Sequence, residues 1–348
     1  MTVVCSFLLA VGLGFSVGSA AAEYFPESRE TQAQTKAVQT KKVSVGGMPA
    51  GIYMETDGVL ILDTQQIKGI DGKMYEPAQG MVKSGDYIKA VNQKEICGKK
   101  ELLKELEKLS GEKVELTVRR GGKLVKIALQ AVETAAGEYK LGIWVRDNVQ
   151  GLGTVTFLTE QNEFGALGHG IHDTDTNGLM EISGGKLYRT TIQNVVKGSS
   201  GNPGTMEGMI VYNRYNLLGT IEKNTDAGIY GRLDKTEELF GKELVETAAK
   251  EEIVTGPAKM RCFLEDEIRE FDIEVMKVDQ ETAEINKGMM IRVTDEELLE
   301  KTGGIIQGMS GSPILQNGKL IGAVTHVFVM DSTKGYGIFA ETMLEQLK

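Results

Sequence analysis

The sequence predicts a mainly β, multi-domain protein: a small α+β domain over residues 43–134, followed by a larger all-β domain over residues 135–348. A chain of 348 residues exceeds the length of one typical domain. Its 43 glycines accompany runs of β-branched residues, a composition typical of many short strands joined by turns. Helical spacing of apolar residues is clear at only two places, so we expect few helices.

The composition narrows the classes of function. The net charge is −10 and no block of lysine or arginine stands out, which argues against a nucleic-acid partner because such proteins need a basic face. The chain is 25% charged and 41% hydrophobic, as expected of a soluble globular protein. Cys5, Cys97 and Cys262 cannot form a disulfide framework, and neither of the last two has the glycine-rich surroundings of a catalytic loop.

The chain begins with an apolar segment. Residues 3–22 carry no charge, are about as long as a membrane span, and end in small residues like a signal-peptidase site. We therefore expect residues 1–22 to be a signal or membrane-anchor segment that sends the rest of the chain across a membrane. Residues 23–42 are polar with little apolar periodicity, which predicts a flexible linker where a protease could cut itself.

The small domain has a recognisable order of elements. Residues 59–62 form a short apolar strand, and residues 80–92 form a turn followed by an alternating strand. Apolar residues at helical spacing predict a helix over 99–109. An alternating strand over 114–120 then meets the pair Gly121-Gly122, which predicts a hairpin onto residues 124–129.

This order, and above all the segment Gly80–Ile88 (GMVKSGDYI), resembles a PDZ domain of the kind fused to bacterial proteases. PDZ domains bind an extended peptide as an added strand beside a sheet edge. The resemblance places the peptide-binding loop at Ala50, Gly51, Ile52 and Tyr53. A domain of this shape that only packs and binds nothing is the alternative.

The C-terminal part reads as short strands separated by glycine turns, which indicates a sandwich or barrel. Its predicted strands are residues 141–147 and 153–157 as a first pair, then 164–170, 209–212, 217–221 and 268–278. The clear helix candidate there is Asp295–Lys301, with Thr294 as its cap and Glu297 at the capping-box position.

The hexapeptide Gly308–Pro313 (GMSGSP) places Ser310 between glycines on a tight turn. A serine hydroxyl becomes a nucleophile when a base takes its proton and backbone N–H groups hold the oxyanion. The spacing resembles the nucleophile loop Gly-Asp-Ser-Gly-Gly-Pro of chymotrypsin-like proteases. That resemblance implies a double β-barrel, with Ser310 as nucleophile and the N–H groups of Gly308 and Ser310 as the oxyanion hole.

Three histidines are available as the base. His169 ends an apolar strand between two glycines, so it is expected at a shaped turn where a general base can act. His172 stands beside Asp173 and Asp175, and a metal site formed with His169 is an alternative. The resemblance to chymotrypsin-like proteases implies that His326 and its neighbour Thr325, on the strand after Ser310, line the substrate pocket. The alternatives for His326 are a rival base or an ordinary polar strand residue.

A third group should orient the histidine and stabilise its imidazolium. Sequence spacing does not choose among the candidate acids, which include Asp173, Asp175, Asp226, Asp295 and Asp331.

Taken whole, the chain resembles the SpoIVB peptidases of endospore-forming bacteria. The segments that carry the resemblance are LGIWVRD (141–147), FGALGH (164–169), GTIEKNT (219–225), TGGIIQGMSGSPI (302–314) and GAVTHVFV (322–329). The resemblance implies a serine endopeptidase with His169 as base, Ser310 as nucleophile and Asp295 as acid, and with no cofactor or metal. The alternative for Asp295 is a purely structural role as a helix-start carboxylate beside Thr294.

The same resemblance implies partners and a location. Such proteases act between the forespore and mother-cell membranes, where they cleave themselves and a membrane-bound inhibitor of an intramembrane protease, which activates a late sporulation sigma factor. The PDZ domain would regulate self-cleavage and help to recognise the partner. The alternatives left open are a catalytically silent PDZ adaptor that retains the protease fold, and a metal-dependent hydrolase at His169 and His172.

Overall fold

The computed structural model describes residues 41–234, 236, 240 and 243–348. The described strands, in chain order, are β1 (Lys42–Val45), β2 (Pro49–Thr64), β3 (Ile67–Lys68), β4 (Met74–Tyr75), β5 (Tyr87–Val91), β6 (Lys94–Glu95), β7 (Lys113–Arg120), β8 (Lys123–Gln130), β9 (Val132–Ala135), β10 (Glu138–Lys140), β11 (Ile143–Leu158), β12 (Glu163–Ala166), β13 (Ile182–Val196), β14 (Thr205–Ile210), β15 (Leu217–Thr225), β16 (Gly228–Leu233), β17 (Val245–Glu246), β18 (Gly256–Leu264), β19 (Glu267–Val278), β20 (Met289–Val293), β21 (Pro313–Gln316), β22 (Lys319–Phe328) and β23 (Asp331–Phe339). The described α-helices are α1 (Lys99–Leu106), α2 (Glu296–Thr302) and α3 (Ala340–Glu345), and short 3-10 helices occur at Lys250–Glu252 and Ile285–Lys287.

The N-terminal predictions lie mostly outside this range. The expected signal or anchor segment 1–22 and the expected linker up to residue 40 are not among the described residues. Within the part of the chain that is described, no helix is both long enough and apolar enough to cross a membrane.

Six antiparallel strands close a first barrel. β2, β11, β12, β16, β15 and β13 pair in that order, and β13 returns to pair with β2. Its interior holds buried apolar side chains from several strands, among them Ile52, Val155, Phe164, Leu187 and Ile229. Burial of these side chains removes apolar surface from water and stabilises the closed sheet.

Six further strands close a second barrel in the order β18, β19, β20, β23, β22 and β21, with β21 returning to β18. Met260, Phe271, Ile291, Ile314 and Val324 are buried in its core. Helix α2 leads from the end of β20 into the turn before β21. The two barrels confirm the predicted mainly β, double-barrel architecture.

A smaller layer extends from the first barrel. The second half of β2 pairs with β5 at Val59 and Leu60, β5 pairs with β7, and β7 pairs with β8. Helix α1 packs on this sheet through the buried Leu102. Gly121 and Gly122, with φ angles of +53° and +77°, make the two-residue turn predicted between β7 and β8.

The layer and the first barrel share two long strands. β2 pairs with β13 through residues 50–56 and with β5 further along, and β11 pairs with β2 over most of its length. The prediction of separate strands at 141–147 and 153–157 is therefore wrong, because residues 143–147 and 153–157 belong to the single strand β11. Gly153, predicted to start the second strand, lies within β11 and leaves room for a neighbour: a Cβ there would lie 2.0 Å from Leu167 Cδ2.

Candidate active site

The candidate nucleophile loop turns sharply between α2 and β21. Gly308 and Gly311 have φ angles of +102° and +94°, which glycine adopts without the steric cost that other residues meet. Inside the turn, the amide of Ser312 donates to Met309 O at 2.9 Å. The amides of Gly308 and Ser310 donate no hydrogen bond within the described residues. The loop therefore leaves unpaired the two N–H groups that the sequence assigns to an oxyanion hole.

Strand β11 of the first barrel holds this loop in place. Thr154 Oγ1 donates to Gly308 O at 2.8 Å, and Thr154 N donates to Ser310 O at 2.9 Å. Thr156 Oγ1 donates to Gly311 O at 2.7 Å. Both threonines are buried. Sequence reasoning missed them, and the signal that could have found them is a pair of threonines at i and i+2, which places two hydroxyls on one face of a strand.

The Ser310 hydroxyl lies against the second barrel. Its Oγ donates to Thr325 O on β22 at 2.8 Å, and it makes no hydrogen bond to His169. A rotation about the Cα–Cβ bond of Ser310 would free the hydroxyl from this carbonyl. In this structure the nucleophile is therefore restrained by a backbone acceptor rather than by the base.

His169 follows β12 after two residues with left-handed backbone, Leu167 and Gly168, each with φ of +70°. A Cβ on Gly168 would lie 2.8 Å from Ile338 Cγ2 of the second barrel, so glycine lets this turn pack closely. His169 Nδ1 lies 2.9 Å from Gly170 O, which assigns the proton to Nδ1 and leaves Nε2 as an acceptor. Burial lowers the pKa of His169, so the ring is neutral and able to take a proton at neutral pH.

His326 meets His169 where the two barrels join. The two ring centroids are 4.8 Å apart and the ring planes are inclined by 36°. The side chain of His326 is exposed, and its pKa is lowered to about 4, chiefly by loss of hydration where it packs against His169 and less by the nearby His169 and Lys287. The neighbouring Thr325 is buried and its hydroxyl donates to Asn286 O at 2.7 Å, so the carbonyl of Thr325 is what reaches the site.

The structure does not bring Asp295 to His169 or Ser310. Asp295 is the N-cap of α2: its Oδ1 accepts from Leu298 N at 3.0 Å, and its Oδ2 accepts from Asp272 N at 3.2 Å. Asp295 follows one end of β20, whereas Asn286, whose carbonyl accepts from Thr325 Oγ1, precedes the other end, and the strand between them spans on the order of 13 Å. The carboxylate thus has the structural role of capping a helix, and the predicted cap Thr294 is wrong by one residue.

Substitution of Asp295 therefore tests a helix cap against a catalytic acid. We expect Asp295→Ala to lower the free energy of unfolding by about 1–2 kcal/mol, since it removes a cap. Asp295→Asn, which can also cap, should recover most of this loss. Both variants should keep the hydrolase activity expected from the sequence resemblance within a few-fold of wild type once folded. Urea unfolding and activity, measured on the same samples, check this; a folded but inactive Asp295→Asn would contradict it.

The other acids considered from the sequence also make no contact with His169 in the described structure. Their partners are as follows: Asp173 and Asp175 bind Arg146, Asp226 lies 3.8 Å from His172, and Asp331 binds Lys334. The polar group that orients His169 is therefore the carbonyl of Gly170. Within the described ranges, no three His, Cys, Asp or Glu side chains are grouped to hold a metal ion.

The predicted peptide-binding loop is not a loop. Ala50, Gly51, Ile52 and Tyr53 lie inside β2, paired with β13 on one side and with β11 on the other. A strand with two neighbours has no free edge at which to add a peptide. This placement is therefore wrong, because the apolar-glycine pattern of these residues reflects packing inside a barrel, where Gly51 lies under Ile210.

Comparison with known proteins identifies the family of the chain. Residues 137–344 match the sequence model of the SpoIVB peptidase S55 family. The match covers more than half of the chain and contains His169, Ser310 and His326. A search of curated proteins finds no match to the chain.

Proposed function

Because the chain belongs to the SpoIVB peptidase S55 family and is therefore a peptidase, we propose that it is a serine endopeptidase that forms an acyl-enzyme at Ser310. The observation that supports this most strongly is the pair of amides, Gly308 N and Ser310 N, which donate no hydrogen bond among the described residues and lie on a loop that Thr154 and Thr156 hold around the serine. Such donors, held in place before reaction, stabilise the negative oxygen of an acyl-transfer transition state.

The residues present can carry out both halves of the reaction. Ser310 Oγ leaves the Thr325 carbonyl and attacks the scissile carbon while its proton passes to His169 Nε2. The amides of Gly308 and Ser310 hold the oxyanion, and His169 then gives the proton to the departing amine. Water then attacks the acyl-enzyme while its proton passes to His169 Nε2. His169 returns that proton to Ser310 Oγ as the acyl bond breaks, which regenerates the Ser310 hydroxyl.

Active-site labelling tests this proposal without knowledge of the substrate. The full-length chain is treated with a fluorophosphonate, which reacts with activated serines, and the adduct is located by mass spectrometry. We expect one adduct at Ser310, together with cleavage fragments whose formation survives a metal chelator. Absence of labelling from a folded protein would favour the silent PDZ adaptor, and loss of cleavage with chelator would favour a metal-dependent hydrolase.

The lowered pKa of His169 predicts the pH dependence. The base must be neutral, and burial favours the neutral ring, so activity should persist as the pH falls below the ordinary histidine value of 6.5. We expect kcat/KM for peptide cleavage to be flat near neutral pH and to decline with an apparent pKa below 6.5. The unfolded ring protonates first, so stability should also fall as the pH drops below 6.5. A decline of kcat/KM toward low pH with an apparent pKa above 6.5 would contradict this.

We propose further that the chain cleaves itself within residues 23–42 and cleaves a membrane-bound inhibitor of an intramembrane protease, thereby signalling activation of a late sporulation sigma factor. It would act after export, anchored or released between the forespore and mother-cell membranes. The resemblance in sequence and the polar character of residues 23–42 support this. Fragment ends mapped by mass spectrometry inside 23–42, absent in Ser310→Ala, are the expected result.

We also propose that the small layer binds the peptide ligand, at a different edge from the one predicted. A cavity of about 530 Å³ lies between α1 and the start of β11, lined by Leu102, Leu103, Ile143 and Val145 among others. Over Ile143–Val145, β11 pairs with β2 alone in the described structure, so its other edge is free for an added strand.

The end of this groove suits a carboxylate. The amides of Leu141 and Gly142 donate no hydrogen bond among the described residues, and Gly142 is left-handed with φ of +66°. Backbone N–H groups in such a turn form an anion-binding nest.

We expect peptides with an apolar last residue and a free carboxylate to bind, and their amidated forms to bind at least tenfold more weakly in fluorescence anisotropy. Leu103→Glu should abolish binding of the free-acid form; equal binding of both peptide forms would contradict the proposal.

A further inference from the structure

One edge of β11 runs from the proposed peptide groove to the nucleophile loop without a partner. β11 pairs with β2 from Ile143 to Thr154, and its pairing with β12 starts only at Val155. Within the described part of the chain, residues 143–153 have no strand partner other than β2 and no backbone hydrogen bond to a loop. A strand edge left free over this length can accept an added strand.

We propose that a substrate lies along this edge as an added strand, with its C-terminal carboxylate at residues 141–142 and its scissile bond at Ser310. This inference rests on the proposed serine endopeptidase and on the proposed peptide groove, and it joins them. β11 then sets the distance between the carboxyl end of a substrate and the bond that is cut. The substrate class is an extended C-terminal tail that ends in an apolar residue.

Thr154 fixes the end of the edge that lies at the nucleophile. Its N donates to Ser310 O at 2.9 Å and its O accepts from Leu167 N at 3.2 Å, so both groups point away from β2. In an antiparallel pair, alternate residues turn their backbone groups to the same side, so those of Leu152 and Gln150 also point away from β2. The free edge therefore begins beside the loop that carries Ser310.

Empty space accompanies the strand over most of this route. The groove of about 530 Å³ is lined by Ile143 and Val145 of β11. A second cleft of about 280 Å³ is lined by Arg146, Asn148, Val149 and Gln150 of β11, together with His172, Asp173 and Thr174. The two cavities thus follow one another along β11.

Side chains bridge β11 to the walls of these cavities at two points. Arg146 binds Asp173 and Asp175, and Asp147 Oδ2 accepts from Lys99 N at 2.8 Å. Side chains project from the faces of a sheet, whereas an added strand lies in its plane. The two contacts therefore hold the walls and leave the backbone groups of the edge unpaired.

The direction and the length of the bound tail follow from these positions. Because the carboxylate lies at the start of β11, the tail runs antiparallel to β11 and its preceding residues reach Ser310. Thr154 is about eleven residues beyond Ile143, and the register shifts in β11 change that count by about one residue. The bond that is cut should therefore lie about ten to twelve residues before the carboxylate, roughly 36 Å of extended chain.

The test uses the full-length chain and synthetic peptides of about 20 residues, longer than the predicted span, which end in the same apolar residue and have mixed sequence elsewhere. Mass spectrometry locates the cuts. We expect them to cluster about ten to twelve residues before the free carboxylate, across many local sequences. Amidated forms of the same peptides should be cut at least tenfold more slowly, because the carboxylate no longer holds the end of the tail.

N-methylation of single amides in the spanning segment tests the pairing with β11. In an antiparallel ladder, every second residue of a strand bonds to the same neighbour. Cleavage should therefore slow by about tenfold at alternate positions of the methyl group and change little at the positions between them.

Cuts at unrelated distances from the carboxylate, equal cleavage of the amidated peptides, or no alternation under N-methylation would overturn the inference. So would a chain that a fluorophosphonate labels at Ser310 but that cuts none of these peptides. In each of these cases labelling of Ser310 leaves the proposed peptidase mechanism standing. A folded chain that is not labelled at Ser310 would overturn both.

Discussion

Ser310→Ala should abolish peptide-bond cleavage while leaving the fold intact. Removing the nucleophile from a serine protease costs about 10⁶-fold in kcat, and no other described side chain on this loop can replace it. The hydroxyl makes one hydrogen bond, to Thr325 O, so its loss should lower the free energy of unfolding by only about 1 kcal/mol. A time course on gels with mass spectrometry, run beside urea unfolding, measures both effects.

Ser312→Ala is the matched control from the same loop. The Ser312 side chain is fully buried, and its Oγ has no hydrogen-bond partner in the described structure. Its removal takes away an unsatisfied polar group, so activity should be unchanged and stability equal to wild type or greater by up to about 2 kcal/mol. Cleavage that survives Ser310→Ala but is lost in Ser312→Ala would contradict the assignment of the nucleophile.

Gly311→Ala should disable the site by displacing the nucleophile loop. A Cβ at Gly311 would lie 2.1 Å from Thr154 O and 2.5 Å from Leu167 N, both backbone atoms that cannot swing aside, and φ is +94°. We expect a loss of about 3 kcal/mol in the free energy of unfolding from strain and overpacking. The loop must also move, and a misplaced oxyanion donor should lower kcat by about 10²- to 10³-fold.

Gly318→Ala separates backbone strain from steric contact. Gly318 also has positive φ, +76°, but a Cβ there would meet nothing within 4 Å. The free energy of unfolding of this variant should fall by about 1 kcal/mol, and its activity should equal that of wild type. Unfolding curves and the rate of Ser310 labelling compare the two variants. If Gly311→Ala and Gly318→Ala had equal stability and equal rates of Ser310 labelling, the contact of Gly311 with Thr154 and Leu167 would not be what holds the loop.

Much of the site was accessible from local sequence, because its chemistry depends on residue types at close spacing. The turn around Ser310 needs glycines at 308 and 311, and both have the positive φ angles expected of them. Gly168, in the turn before His169, likewise has the positive φ angle that glycine adopts readily. Sequence reasoning offered both a catalytic and a helix-start role for Asp295 but could not choose between them, since an aspartate that caps a helix and one that orients a histidine look alike in sequence.

The sequence by itself determined the mainly β architecture, the hairpin at Gly121-Gly122 and the loop that presents Ser310, since strand alternation and turn conformations are local properties. Only the tertiary structure decided which residues meet across the barrels. It joined two predicted strands into β11, used Thr154 and Thr156 to hold a loop some 150 residues away, and set His326 beside His169. Such contacts follow from barrel closure and register, where pairing partners distant in sequence are selected by burial of the whole sheet rather than by any short motif.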